Sequence, residues 1–257
     1  MKRYHILDEI RGITLCSMIL YHAAWDLVYL FGVNWNWYRS EFAYLWQQSI
    51  CWSFILLSGF CFSLGRNKWR RGLIVLGAGA LVSFVTQIAM PGQSIRFGVL
   101  TMLGSSMLLM AFLENSMSHF LSSKDWTTRW YGVGILVSFM AFFLTRGINE
   151  RYLGFEGICL QRLPEELYQK GDLMTFIGFM GKDFYSTDYF SMIPWFFLFA
   201  TGYFLYHWLK KKAWLTKLEI FPSCGKMFRV MGKHSLLIYM LHQPVIYIVL
   251  LLFTKFN

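Results

Sequence analysis

Seven stretches of this chain are apolar enough, over about 20 residues each, to cross a bilayer as a helix. They lie near residues 10–33, 42–65, 72–90, 97–114, 130–146, 189–209 and 235–254. Inside lipid a backbone must satisfy its own hydrogen bonds, as a helix does. The expected fold is therefore all-α: a polytopic integral membrane bundle of about seven transmembrane helices. Pro91 and Gly92 divide the third run from the fourth. The piece from Leu173 to Met180 is too short to span and is expected to be re-entrant or interfacial.

Composition points the same way. The chain is 56% hydrophobic and 19% aromatic but only 15% charged, where soluble domains carry about 25%. The polar surface that a soluble enzyme of this length needs is missing. No repeat, linker or low-complexity tract interrupts the 257 residues, which are expected to form one domain, 1–257. The opening MKRYHILDEIRG holds acidic residues before a run too long for a signal core, so a cleaved signal peptide is not expected.

The net charge of +10 follows membrane sidedness, not nucleic-acid binding. With the amino end inside, the inner side collects Lys2, Arg3, the Arg66–Arg71 loop, Lys124, Arg129 and the basic loop from Lys210 to Lys233. The short outer loops hold little beyond Arg39, Arg96 and Lys255. This asymmetry puts the N-terminus in the cytoplasm and the C-terminus outside. The expected location is the plasma membrane, multi-pass, with the lipid bilayer as partner and homo-oligomerisation left open. Cys16, Cys51, Cys61, Cys159 and Cys224 show no metal spacing, so no metal is expected.

One run carries ionisable residues. In LDEIRGITLCSMILYH, Arg11 and His22 are eleven steps apart. That is about three helical turns, so both project from one face, roughly 16 Å apart along the axis. Asp26 follows His22 by one turn on the same face. Such a column is expensive in a membrane helix and marks a functional site. His22 can act as a base when neutral, with Asp26 orienting its ring. The plainer alternative makes Arg11 an interfacial anchor and His22 a helix contact.

Four further groups stand out. In GKHSLLIYMLHQP, Ser235, Tyr239 and His242 share a stripe beside Gln243, and Pro244 removes a backbone donor. Catalysis and interhelical polar contact are equally open there. In FYSTDYFSMIPWFFLFATGYF, Asp188 stands at the outer mouth of the sixth run among aromatic residues. In SIRFGVLTMLGSSM, Arg96 opens the fourth run. Asp188, Arg96, Tyr239 and Gln243 are candidate contacts for an acceptor substrate. In RNKWRR, Arg66, Arg70 and Arg71 could hold phosphates or lipid headgroups.

LDEIRGITLCSMILYH resembles the first-span motif of membrane acyltransferases, in which ten residues separate an arginine from a histidine. LLSGFCFSLG, IRFGVLTMLG, the Asp188 segment and HSLLIYMLHQP follow in order. Together they resemble a bacterial family similar to the catalytic domain of heparan-alpha-glucosaminide N-acetyltransferase, over nearly the whole chain. The resemblance implies acetyl-CoA as a cytoplasmic acyl donor and an amino sugar or sugar hydroxyl as acceptor. Arg11 and His22 match the functional pair, and Asp8 matches the acidic residue before the arginine. Two departures matter. VNWNWYRSEF lacks the histidine that the lysosomal enzyme carries in the comparable segment, and Thr101 stands where relatives have a histidine.

The expected activity is therefore transfer of an acetyl group from acetyl-CoA to a carbohydrate acceptor of the envelope. His22 would be base or nucleophile, Asp26 its orienter, His242 the reserve, and Arg11 and Asp8 would serve the donor. Two rivals remain at this level: a transporter or flippase for a polar envelope precursor, and a non-catalytic membrane partner.

Overall fold

The computed structural model describes residues 4–116, 128–220 and 222–256. Lys2, Arg3 and Lys124 of the inner charge set lie outside them. Among the described residues seven long helices fall on the seven apolar runs: α1 His5–Tyr29, α2 Glu41–Phe62, α3 Lys68–Ala89, α4 Val99–Ser116, α5 Thr128–Leu144, α7 Met192–Lys211 and α9 Ser235–Phe256. Two short helices, α6 Asp172–Ile177 and α8 Lys226–Lys233, complete the set, with a hairpin of β1 Tyr152–Phe155 and β2 Ile158–Arg162. Among the described residues five helices (α2, α3, α4, α5 and α9) are long and apolar enough to cross a membrane. α1 holds Asp8, Glu9, Arg11 and Asp26, and α7 is diluted by Tyr203, Tyr206, His207 and Trp208. The Leu173–Met180 piece forms only the six-residue helix α6.

Two compact units divide the chain: residues 1–57 with 214–257, and residues 58–213. In the first unit α1 packs against α8 backbone to backbone. A Cβ placed on Gly12 would lie 2.0 Å from the Phe228 carbonyl oxygen, and one on Gly232 would lie 1.8 Å from the Asp8 carbonyl oxygen. Only glycine at both positions permits this approach, the small-residue packing common between membrane helices. Farther along α1, Leu15 and Met18 join Ile50 of α2 in a core flanked by Ile238 and Tyr239 of α9. Trp46 Nε1 donates to Ser17 Oγ at 2.7 Å and ties α2 to α1.

The second unit repeats the device. Gly104 of α4 meets the backbone of Leu76, and Gly79 of α3 meets the backbone and hydroxyl of Thr101. Thr101 is thus a helix-packing residue here. Between α5 and α7, Gly134 accommodates the Phe204 ring, and the Ser138 and Thr201 hydroxyls share a hydrogen bond at 2.9 Å. The hairpin turns on Glu156 and Gly157, both at positive φ, as a two-residue turn between twisted strands requires.

Candidate active site

The unbroken helix His5–Tyr29 sets Arg11, His22 and Asp26 on one face. α9 meets the lower part of that face. The rings of His22 and His242 are in contact, with centroids 4.9 Å apart and planes at 61°. One turn on, Gln243 Nε2 donates to Asp26 Oδ1 at 2.6 Å. Two residues of α1 and two of α9 thus form a four-membered polar cluster, and Asp26 in it is fully buried. Tyr239 adds the edge: its ring lies 5.3 Å from that of His242 and stacks on Phe54. Its carbonyl oxygen is 2.5 Å from His242 Nδ1.

Three atoms of the cluster are buried without a hydrogen-bond partner: Asp26 Oδ2, His242 Nε2 and Gln243 Oε1. Natural structures leave few such atoms, and each calls for an explanation. Here all three belong to the one cluster.

One expectation needs correction. Asp26 was expected to hold the His22 ring. Its side chain is instead engaged by Gln243, because the α9 amide reaches the carboxylate and an i,i+4 neighbour on the same helix does not. No local pattern pairs Gln243 with Asp26, 217 positions apart.

At the other end of α1, Arg11 Nη1 is 3.9 Å from Asp8 Oδ1, a loose ion pair. Glu9 beside them is 1% exposed and densely bonded. Its carboxylate accepts from Arg229 Nη2 at 2.7 Å and Nε at 3.0 Å, from Ser223 Oγ at 2.7 Å, and from the Cys224 amide at 2.8 Å. The Arg229 guanidinium, with the Ser223 hydroxyl and Cys224 amide, holds the Glu9 carboxyl far below the usual carboxylate range, at about 2. Sequence reading missed this lock. A second acid at the mouth of an apolar run was its one visible trace.

In the second unit the remaining candidates have structural partners. Asp188 Oδ2 accepts from the Val99 amide at 3.3 Å, at the start of α4, where a carboxylate caps orphan N–H groups. Arg96 Nη2 pairs with Asp172 Oδ2 at 2.7 Å and stacks over Phe184, and its amide donates to Ser186 Oγ. Asn67 caps α3 by accepting from the Arg70 amide at 3.0 Å. Arg71 lies against the last carbonyls of α2, Cys61 and Phe62, at 3.4 and 3.5 Å. Arg66 and Arg70 are exposed.

Sequence reading did not connect a polar cluster that Ser63, just past α2, builds in this unit with side chains of α3, α4, α5 and α7. His207 Nε2 is 3.0 Å from Ser63 Oγ, and its ring stacks on Tyr131. Tyr203 donates to Glu114, which pairs with Lys68. Among the described residues no group of three or more His, Cys, Asp or Glu is gathered to hold a metal.

The family model for heparan-alpha-glucosaminide N-acetyltransferase, catalytic, matches residues 3–244. No curated protein and no solved structure matches the chain.

Proposed function

The chain belongs to the heparan-alpha-glucosaminide N-acetyltransferase catalytic-domain family, and on that premise we propose an integral membrane acetyltransferase. It moves an acetyl group from cytoplasmic acetyl-CoA to an amino sugar or sugar hydroxyl of an extracytoplasmic glycan. The observation that carries the reading is the meeting of His22 and His242 beside the buried Asp26–Gln243 pair. Ionisable and polar side chains gathered where two apolar runs meet, α1 and α9, are a functional-site signal. Seven spans, amino end inside and carboxyl end outside in the plasma membrane, would bring donor and acceptor to the cluster from opposite faces.

The chain's own residues divide the work. The imidazole pair takes the proton of the attacking hydroxyl or amine; neutral histidine is suited to this near neutral pH. Asp26, held by Gln243, fixes α1 against α9 and keeps the pair in register. Arg11 fits the donor, because its single loose carboxylate partner leaves guanidinium donors to turn toward a phosphate or a thioester oxygen. Arg229 does not fit, since Glu9 already engages two of its nitrogens. Acetyl-CoA, when bound, supplies an acyl carbon already activated as a thioester.

The test is direct. The purified chain in lipid nanodiscs, given acetyl-CoA and glucosamine, should release free CoA in step with acetylated sugar. If it releases none above the rate without protein, while the sugar crosses protein-bearing vesicles, the transporter reading takes its place.

A further inference from the structure

Resting on the acetyltransferase reading, we infer that the acceptor's proton goes to Nε2 of His242, not to His22. Asp26 and Gln243 then select acceptors that carry a second hydrogen-bond donor beside the reacting one, a vicinal diol or amino alcohol.

The first half follows from one contact. His242 Nδ1 lies 2.5 Å from the Tyr239 carbonyl oxygen. A carbonyl only accepts, so Nδ1 carries the proton, and in a neutral ring Nε2 is then a bare lone pair. That atom is buried and without a protein partner. The backbone thus sets the tautomer that a base needs and leaves its basic nitrogen open. His22 abuts the same ring at 61° and limits its rotation, which makes His22 a positioning residue.

The second half follows from the kinds of atoms left over. Gln243 gives its amide nitrogen to Asp26 Oδ1, so its oxygen faces away from that bond, and Asp26 keeps a second oxygen. Both leftover oxygens are buried and unpartnered, as is His242 Nε2. An amide oxygen and a bare imidazole nitrogen accept and do not donate, and Asp26 Oδ2 does likewise when its carboxyl is ionised. A ligand with a single O–H or N–H can satisfy His242 alone. A second donor is needed to satisfy Asp26 or Gln243, and leaving buried acceptors unmade is what discriminates against analogues lacking the group.

In the reaction, the acceptor O–H or N–H bond breaks and its proton moves to His242 Nε2. The acceptor oxygen or nitrogen bonds the acyl carbon of the thioester donor. The C–S bond breaks, and the proton on Nε2 passes to the leaving sulfur, restoring the neutral ring.

The experiment uses the full chain in nanodiscs with ¹⁵N-labelled histidine. In the wild-type spectrum one histidine should show a protonated Nδ1 and an unprotonated Nε2. His242→Gln should remove that signal, and glucosamine should shift its Nε2. Acetyl transfer to glucosamine should fall about 10²-fold or more in kcat in His242→Gln, with KM little changed, and less than tenfold in His22→Gln. Wild type should favour trans-1,2-cyclohexanediol over cyclohexanol, and Asp26→Asn and Gln243→Leu should each lower that preference about tenfold or more. A His242 ring protonated on Nε2 instead, or a His22→Gln loss larger than that of His242→Gln, overturns the base assignment while the acetyltransferase reading stands. A preference unchanged in both Asp26→Asn and Gln243→Leu overturns the selectivity, the oxygens then being met by buried water. No transfer by wild type to any of these acceptors removes the acetyltransferase reading itself.

Discussion

Gly12→Ala tests whether the α1–α8 contact is as close as described. The new Cβ would stand 2.0 Å from the Phe228 carbonyl oxygen, 2.7 Å from its carbon and 2.9 Å from its Cα. Ordinary carbon contacts need 3.5–4.0 Å, so the two backbones must part by roughly 1.5 Å. Overpacking of this kind costs about 1–3 kcal/mol, and the upper end applies because the clashing atoms are backbone and cannot swing away. Alanine recovers about 1 kcal/mol of helix propensity over glycine. The net loss is about 2 kcal/mol, or roughly 4–8 °C in melting temperature for a protein of this size. Gly77→Ala is the control, since a Cβ there meets nothing within 4 Å, and it should raise stability by up to about 1 kcal/mol. Thermal unfolding in nanodiscs, followed by tryptophan fluorescence, reads both. Gly232→Ala, aimed at the Asp8 carbonyl from the other side, should match Gly12→Ala. The double variant should lose less than the two single losses combined, because one separation relieves both clashes. Gly12→Ala melting at or above Gly77→Ala would refute the packing.

Three other expectations use different measurements. Glu9 has a folded pKa of about 2 against an ordinary 4.5; its stabilisation is complete above about pH 4.5 and is lost as pH falls toward 2. Glu9→Gln should therefore flatten the acid-unfolding curve in that window, and an unchanged curve would contradict the assigned bonds. Arg11→Ala should weaken CoA binding, measured by calorimetry, more than it lowers the melting temperature; wild-type affinity would remove Arg11 from the donor site. Cysteines placed at Lys68 and Lys211 should label only from the cytoplasmic side and one at Glu165 only from outside, and outside labelling at 211 would invert the topology.

The parts legible in the sequence are those governed by local period. Hydropathy marked the seven long helices because each apolar run is continuous along the chain. The common face of Arg11, His22 and Asp26 followed from 3.6 residues per turn. What stayed hidden depends on partners far away in sequence. Gln243 meets Asp26 across 217 positions and Arg229 meets Glu9 across 220, and no periodicity relates them. Asp188 and Arg96 have the residue types of a binding mouth, and they also cap a helix and clamp a loop. Composition cannot tell those uses apart, because the same charge serves both. The hairpin escaped notice because its turn is Glu-Gly rather than the Asn-Gly or Asp-Gly that announces one.

Acetyl transfer at the His22–His242 cluster is tested most closely by a density map of the full chain in nanodiscs with CoA bound. The thiol end of CoA should lie beside the His22 and His242 rings, with Arg11 against its phosphates or its thioester end. A thiol end resting elsewhere, with both rings out of reach, would contradict it.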